Sequence, residues 1–175
     1  RRGYPTVHKT WDEATAVLAG DALQTVAFEL LSLPEIGAQS GEMVQTMARA
    51  AGGRGMVLGQ ALDIAAETAT HPLTLDEITA LQAGKTGALI EWSGTAGPRL
   101  AGADTRQLHT YAAALGLAFQ IADDILDVEG DASKAGKRLQ KDADAGKATF
   151  VSLLGLDAAK TRARELVEEA CDALA

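Results

Sequence analysis

The chain has 175 residues and a formal net charge of -8, with 47% hydrophobic but only 4% aromatic residues. This length suits a single domain, and the apolar share is ample for a core, which excludes wholesale disorder. The acidic balance, with a pI near 4.8, excludes general nucleic-acid binding, which requires a basic surface.

Residue usage points to an all-α fold in a reducing compartment. Alanine and leucine are abundant and β-branched runs are few, which favours helices over sheet. The single cysteine, Cys171, excludes an internal disulfide and fits a cytoplasmic location. We expect no apolar run as long as the roughly 18 residues of a membrane span, and no signal peptide is visible.

The predicted helices follow one another with short connections. Thr10 to Glu13 and Thr74 to Glu77 both match the capping box, in which a threonine hydroxyl and a glutamate cap each other's amides. Asp104 is expected to cap a later helix. Apolar spacing, with Gly and Pro as breakers, predicts helices over 10–32, 36–51, 54–68, 74–94, 104–128, 146–155 and 157–174. Together they predict a helical bundle.

Glycine recurs inside these helices, at Gly20, Gly59, Gly87 and Gly116. Each costs about 1 kcal/mol relative to alanine in a helix interior. Close packing between helices is the favoured explanation, and room for a ligand beside the backbone is the alternative.

The stretch FQIADDILD, residues 119–127, places Asp123, Asp124 and Asp127 in an otherwise apolar helix. Asp123 and Asp127 share a face, and Asp124 lies one step round the helix. In a partly buried helix each uncompensated charge costs several kcal/mol. Three oxygen ligands on one side suit a hard cation such as Mg²⁺. A bare pattern of this kind is nevertheless more often a solvated acidic surface.

Basic residues collect in two short segments, one at the start of the chain and one just after the acidic stretch. Eight of the 16 lysines and arginines lie in two segments, which contain Arg1, Arg2 and Lys9, and Lys134, Lys137, Arg138, Lys141 and Lys147. Basic residues beside carboxylates suit a polyanion bridged by metal, such as a diphosphate. An ordinary solvated loop is the alternative for the second segment.

Two further polar residues interrupt apolar helices. Lys85, beside Thr86 in LQAGKTGALI, either reaches solvent or points into a polar cavity. Asp63, in GQALDI, is a candidate for a residue that contacts the site residues rather than the substrate or metal.

Six blocks in order resemble the polyprenyl synthetase family, most of all its short-chain bacterial farnesyl diphosphate synthases. They are RRGYPTVH (1–8), LAGDALQTVAF (18–28), GMVLGQALDI (55–64), KTGALI (85–90), GLAFQIADDILD (116–127) and GKRLQKDADAGKATF (136–150). The blocks cover nearly the whole chain, so the resemblance is far more specific than one DDxxD pattern.

The resemblance implies an all-α isoprenoid synthase fold around a central cavity. It implies condensation of an allylic diphosphate, dimethylallyl or geranyl, with isopentenyl diphosphate to give a short prenyl diphosphate such as farnesyl diphosphate. It also implies three Mg²⁺ ions, with Mn²⁺ as an alternative, held between two aspartate-rich motifs. A homodimer without a membrane span is expected.

Site roles follow from the same resemblance. Asp123, Asp124 and Asp127 form the second aspartate motif and bind metal, and Asp123, Lys85, Thr86 and Gln120 take part in catalysis. The residues expected to contact substrate are Arg1, Arg2, Lys85, Thr86, Phe119, Gln120, Lys137 and Lys147.

The sequence departs from the family pattern at its ends. The first aspartate motif, expected just before Arg1, is absent, and residues 1–175 are interpreted as a single partial domain. We expect a polypeptide of these residues alone to have little or no activity. A non-catalytic subunit of a heteromeric prenyl synthase is the main alternative, although the intact DDILD weighs against it.

Overall fold

The computed structural model describes residues 3–130 and 148–175, and within these ranges the chain is helical without strands. The elements are α1 (Val7–Thr10), α2 (Glu13–Leu31), a 3₁₀ segment (Pro34–Gln39), α3 (Ser40–Ala51), α4 (Met56–Ala66), α5 (Leu75–Gln82), a π-helical turn (Ala83–Gly87), α6 (Ala88–Leu100), α7 (Arg106–Glu129), α8 (Phe150–Leu154) and α9 (Leu156–Asp172). The predicted all-α class is confirmed.

One of the two predicted capping boxes forms. At the start of α5 the Glu77 amide donates to the Thr74 hydroxyl at 3.3 Å, and the Thr74 amide donates to the Glu77 carboxylate at 2.8 Å. The box predicted at Thr10 is wrong, because Thr10 ends the separate helix α1. Asp12 caps α2 instead, accepting from the Thr15 amide at 2.6 Å.

The helix predicted over 74–94 is longer and less regular than expected. It runs through α5, the π-helical turn and α6 to Leu100, so that Pro98 lies inside its last turn. Gly102, at φ +63°, follows the helix end in the left-handed region that glycine adopts most easily. The predicted end of this helix at residue 94 is therefore wrong by a few residues.

The main core lies where α7 packs against α9 and the ends of α5 and α8. Its buried residues are Ile78, Ala114, Ala118, Ile121, Phe150, Ala159, Leu166 and Ala170. Half of these are alanines, which allow the backbones of α7 and α9 to come close together. This contact holds α7, the helix that carries the three aspartates, in place.

Helix α2 contributes no buried residue, and Val17, Leu18 and Leu23 on it are exposed. By length and composition alone it is apolar enough to cross a membrane, with a mean hydropathy of 1.3 over its apolar window. The expectation that no run reaches this length is therefore wrong. Asp21 lies near the helix centre, where a carboxylate costs about 2.5–3.5 kcal/mol in a bilayer. A single such helix is weak evidence for a membrane span.

Candidate active site

Lys85 and Thr86 lie on the π-helical turn between α5 and α6. A π-helical turn makes a bulge in an otherwise regular helix, and such bulges are frequent at functional sites. Both side chains are half-buried. The turn therefore presents an ammonium and a hydroxyl side by side at an irregular point of a long helix.

Glycines allow two helices to approach this turn closely. A β-carbon on Gly59 of α4 would lie 2.6 Å from the Gly84 carbonyl carbon, and one on Gly116 of α7 would lie 3.4 Å from the Gly87 α-carbon. Close packing, the favoured explanation for the glycines, is confirmed at these two positions. It is wrong for Gly20, where no atom of residues 3–130 and 148–175 would lie within 4 Å of such a β-carbon.

Lys85 forms an ion pair with Asp63 of α4. The Lys85 Nζ donates to the Asp63 Oδ2 at 2.8 Å, and 33% of the Lys85 side chain and 15% of the Asp63 side chain are exposed. The ammonium thus meets a carboxylate while part of the lysine side chain stays open to solvent. Asp63 follows Gly59 by one helical turn, so the close approach at Gly59 brings the carboxylate within reach.

The three aspartates of α7 differ in their surroundings. Asp123 is exposed and Asp127 is buried. Asp124 is half-buried, and its Oδ2 accepts a hydrogen bond from the Phe150 amide at the start of α8, at 2.8 Å. The expectation that Asp123 and Asp127 share a face follows from their spacing, whereas Asp124 turns toward the neighbouring helix.

One side of α7 connects the π-helical turn to the aspartates. Gly116, Gln120, Asp123 and Asp127 are spaced by four, three and four residues and therefore lie along one stripe of the helix. Gly116 packs against Gly87 of the π-helical turn. At 1.5 Å per residue, Asp123 lies roughly 10 Å further along the helix.

Phe119 is 58% exposed and Gln120 is half-buried on this part of α7. Phe119 precedes Asp123 by four residues, so the ring and the carboxylate share a helix face. These two residues place an apolar surface and an amide between the π-helical turn and the carboxylates, as the resemblance implies for a substrate pocket.

The carboxylates fit one half of a Mg²⁺ site. Mg²⁺ commonly takes one or two carboxylates and keeps several waters, and Asp123 and Asp127 supply two on one stripe. Across residues 3–130 and 148–175, no group of three His, Cys, Asp or Glu side chains is placed to hold a metal ion. The metal-binding role of Asp123, Asp124 and Asp127 therefore stays a prediction.

The remaining predicted substrate contacts are Arg1, Arg2, Lys137 and Lys147, which lie outside the described residues. Their roles also stay predictions.

Sequence reasoning missed the π-helical turn and the partner of Lys85. The signal for the partner was present, since Gly59 and Asp63 are one turn apart on α4. Asp63 also lines a cavity of about 250 Å³ between α4 and α5. Its lining includes Gln82, whose buried Oε1 has no hydrogen-bond partner in the part of the chain that the structure describes.

The bundle thus carries Lys85 and Thr86 on a π-helical turn, and this turn packs against Gly116 on the stripe of α7 that also holds Asp123 and Asp127. The model of the polyprenyl synthetase family matches residues 1–173. The chain belongs to the polyprenyl synthetase family, as the ordered sequence blocks predicted.

Relatives of known name agree with this assignment. The chain is 44% identical to the farnesyl diphosphate synthase of Haemophilus influenzae over 99% of its own length and 61% of the relative. It is 45% identical to the Escherichia coli farnesyl diphosphate synthase over 99% of its length and 60% of the relative. The chain therefore spans about 60% of the length of these relatives.

Solved structures give the same result for the fold. An FPP/GFPP synthase from Zymomonas mobilis superposes with a TM-score of 0.88 at 48% identity, covering 99% of this chain and 59% of that one. A geranyltransferase from Helicobacter pylori, complexed with magnesium and isoprenyl diphosphate, gives a TM-score of 0.87 at 39% identity, covering 99% of this chain and 58% of that one. The predicted isoprenoid synthase fold is confirmed.

Proposed function

We propose that the whole protein is a Mg²⁺-dependent prenyltransferase. It condenses an allylic diphosphate with isopentenyl diphosphate, forms a short prenyl diphosphate such as farnesyl diphosphate, and releases diphosphate. The observation that carries this proposal is the stripe on α7, which runs from the Gly116 contact with the Lys85 turn to Asp123 and Asp127. A homodimer in the cytoplasm is part of the proposal.

The reaction explains why these residue types lie together. Breaking the allylic C–O bond leaves a carbocation and a negatively charged diphosphate. The Lys85 ammonium would attract the leaving diphosphate, while the oxygen dipoles of Thr86 and Gln120 would face the cation. When bound, Mg²⁺ would neutralise further charge on the diphosphate, and Asp123 and Asp127 are the residues that would hold it.

Apolar side chains beside the site would keep water from the cation. Leu58 and Leu62 of α4 and Phe119 of α7 are all between 44% and 58% exposed. Removal of water protects a reactive intermediate from hydrolysis. We propose that these side chains line one wall of a central cavity, and that residues 1–175 are one part of a single prenyltransferase domain whose opposite wall carries the first aspartate motif.

The proposal is tested with the whole protein, incubated with geranyl and isopentenyl diphosphates with and without Mg²⁺. The expected product is farnesyl diphosphate, identified by mass spectrometry, and chelation of Mg²⁺ should abolish it. No prenyl product with Mg²⁺ present would contradict the proposal.

Asp123→Ala should lower turnover by roughly 100-fold or more, the usual loss when one group stabilising the transition state is removed. Its helical content, measured by circular dichroism, should not change. Glu168→Ala is the matched control, because Glu168 is an exposed carboxylate on a different helix, α9. Equal turnover in Asp123→Ala and wild type would remove Asp123 from the site.

A further inference from the structure

We propose that Asp63 is a positioning residue that holds the Lys85 ammonium in the orientation needed for the leaving diphosphate. The inference rests on the proposed function and deepens it. Its starting point is the ion pair of 2.8 Å between Lys85 Nζ and Asp63 Oδ2. The two residues are 22 positions apart in sequence, and their pair joins the π-helical turn to α4.

The backbone around the pair is arranged so that the two side chains meet. Gly59 brings α4 against the π-helical turn so closely that an added β-carbon would overlap the Lys85 amide nitrogen. Asp63 lies one turn further on the same face of α4. The Asp63 carboxylate therefore approaches the ammonium from the α4 side.

The chemistry of the ammonium leaves room for a ligand. Lysine carries three N–H donors on a flexible stem with four carbons. Asp63 accepts one of these hydrogen bonds, and a third of the Lys85 side chain remains exposed. The ion pair thus restricts the lysine side chain, while the other N–H donors can bind a diphosphate oxygen. Because the side chain is already held in place, less entropy is lost when the reacting groups are oriented.

A purely structural role explains the pair less well. The pair is part-buried, and ion pairs withdrawn from solvent are weak evidence for stability because the cost of desolvating the charges offsets their attraction. The chain contains a useful comparison: Lys160 and Glu129 form an ion pair of 2.7 Å that joins α9 to the end of α7, with about two fifths of each side chain exposed. That pair does not involve the π-helical turn.

The sign of the kinetic change separates positioning from simple attraction. Asp63→Asn removes a negative charge but leaves the ammonium, so the site becomes more positive and still attracts diphosphate. We expect kcat to fall by about 10- to 100-fold, as for small errors in placement, while KM for the allylic diphosphate stays equal or falls. Lys85→Met removes the attraction itself, so kcat should fall and KM should rise.

The experiment measures kcat, KM and thermal unfolding for the whole protein and its variants. Asp63→Glu, which restores the charge on a longer stem, should recover part of the lost kcat. The double variant Asp63→Asn with Lys85→Met should be no slower than Lys85→Met alone, because Asp63 acts through Lys85. Glu129→Gln is the matched control and should leave kcat and KM unchanged.

Each result bears on one proposal. If the wild-type protein forms no prenyl product, the proposed function fails. If it forms product, the positioning role is overturned by an unchanged kcat in Asp63→Asn, by a rise in KM without a fall in kcat, or by additive losses in the double variant. Additivity can be measured even if Asp63→Asn is less stable, provided that rates are taken below its unfolding temperature.

Discussion

Gly59 and Lys85 are in direct backbone contact: a β-carbon added to Gly59 would overlap the amide nitrogen of Lys85. The neighbouring atoms are backbone, which cannot rotate away as a flexible side chain would. Helix α4 and the π-helical turn are therefore matched to each other at a position where only glycine fits. The site depends on this contact because Lys85 and Asp63 extend from its two sides.

Gly59→Ala should disturb the site and the fold together. Forcing a methyl group into a closely packed contact typically costs about 1–3 kcal/mol, and the π-helical turn would have to move away from α4. We expect a lower midpoint in chemical denaturation, and loss of prenyl transfer in the whole protein.

Gly20→Ala is the matched control for that experiment. Gly20 lies inside α2, where an added β-carbon would meet none of the atoms that the structure describes, so alanine should raise stability by up to about 1 kcal/mol. Equal effects of the two substitutions would contradict the close contact at Gly59.

Asp124 should act on the fold through the Phe150 amide. Phe150 is buried in the main core, and its amide donates to the Asp124 carboxylate at 2.8 Å. Asp124→Ala leaves that amide without this acceptor, which costs about 1–3 kcal/mol for a buried group. Hydrogen exchange of the Phe150 amide should become faster in this variant.

Asp124→Asn separates the hydrogen bond from the charge. The asparagine side-chain oxygen still accepts a hydrogen bond, so slow exchange at Phe150 should largely survive. Asp123→Asn, one residue away and exposed, should not change it. Fast exchange at Phe150 in Asp123→Asn would show that the amide responds to the charge of the whole cluster.

The carboxyl of Asp104 should make stability depend on pH in the acid range. Side-chain hydrogen bonds from Arg106, with a further one from the Arg106 amide, lower the pKa of Asp104 from 3.8 to about 2. A pKa that is lower in the folded state stabilises the fold above the unfolded value, and this contribution is lost as pH falls through the folded value.

Thermal unfolding of wild type and Asp104→Asn should therefore differ near neutral pH and converge between about pH 4 and pH 2. Arg106→Gln should show the same convergence, because it removes the other half of the interaction. A constant difference across this range would rule out the Asp104 carboxylate as its source. Since the group is exposed, the effect should be small and weaker in high salt.

A polypeptide of these 175 residues alone should make little or no prenyl product, since it carries one aspartate-rich motif. Fusion to the parts of the Zymomonas mobilis relative that this chain does not match should restore activity, because the two share 48% identity and superpose with a TM-score of 0.88. The measurement is identification of the prenyl product by mass spectrometry, after incubation with geranyl and isopentenyl diphosphates and Mg²⁺. Full activity of the unfused polypeptide would contradict the idea that a second wall is needed.

Much of the fold was predictable because it depends on neighbours in sequence. The Thr74 and Glu77 box caps α5 as expected, since its partners are three residues apart. The Thr10 box failed although its pattern is equally good. Residues 7–10 form the separate helix α1, so Thr10 does not precede α2 directly. Asp12 caps the N-terminus of α2 instead. Local patterns thus predicted that a helix begins here and missed which residue caps it.

The sequence by itself determined the all-α class, the family, and the stripe of aspartates on α7, because helical spacing and residue type depend only on chain order. The tertiary structure decided which partners the polar residues take. Lys85 pairs with Asp63 across 22 residues, and Asp124 binds the Phe150 amide across 26. Such contacts depend on how closely helices approach, and that distance is set by small residues such as Gly59 packing against a helix elsewhere in the chain.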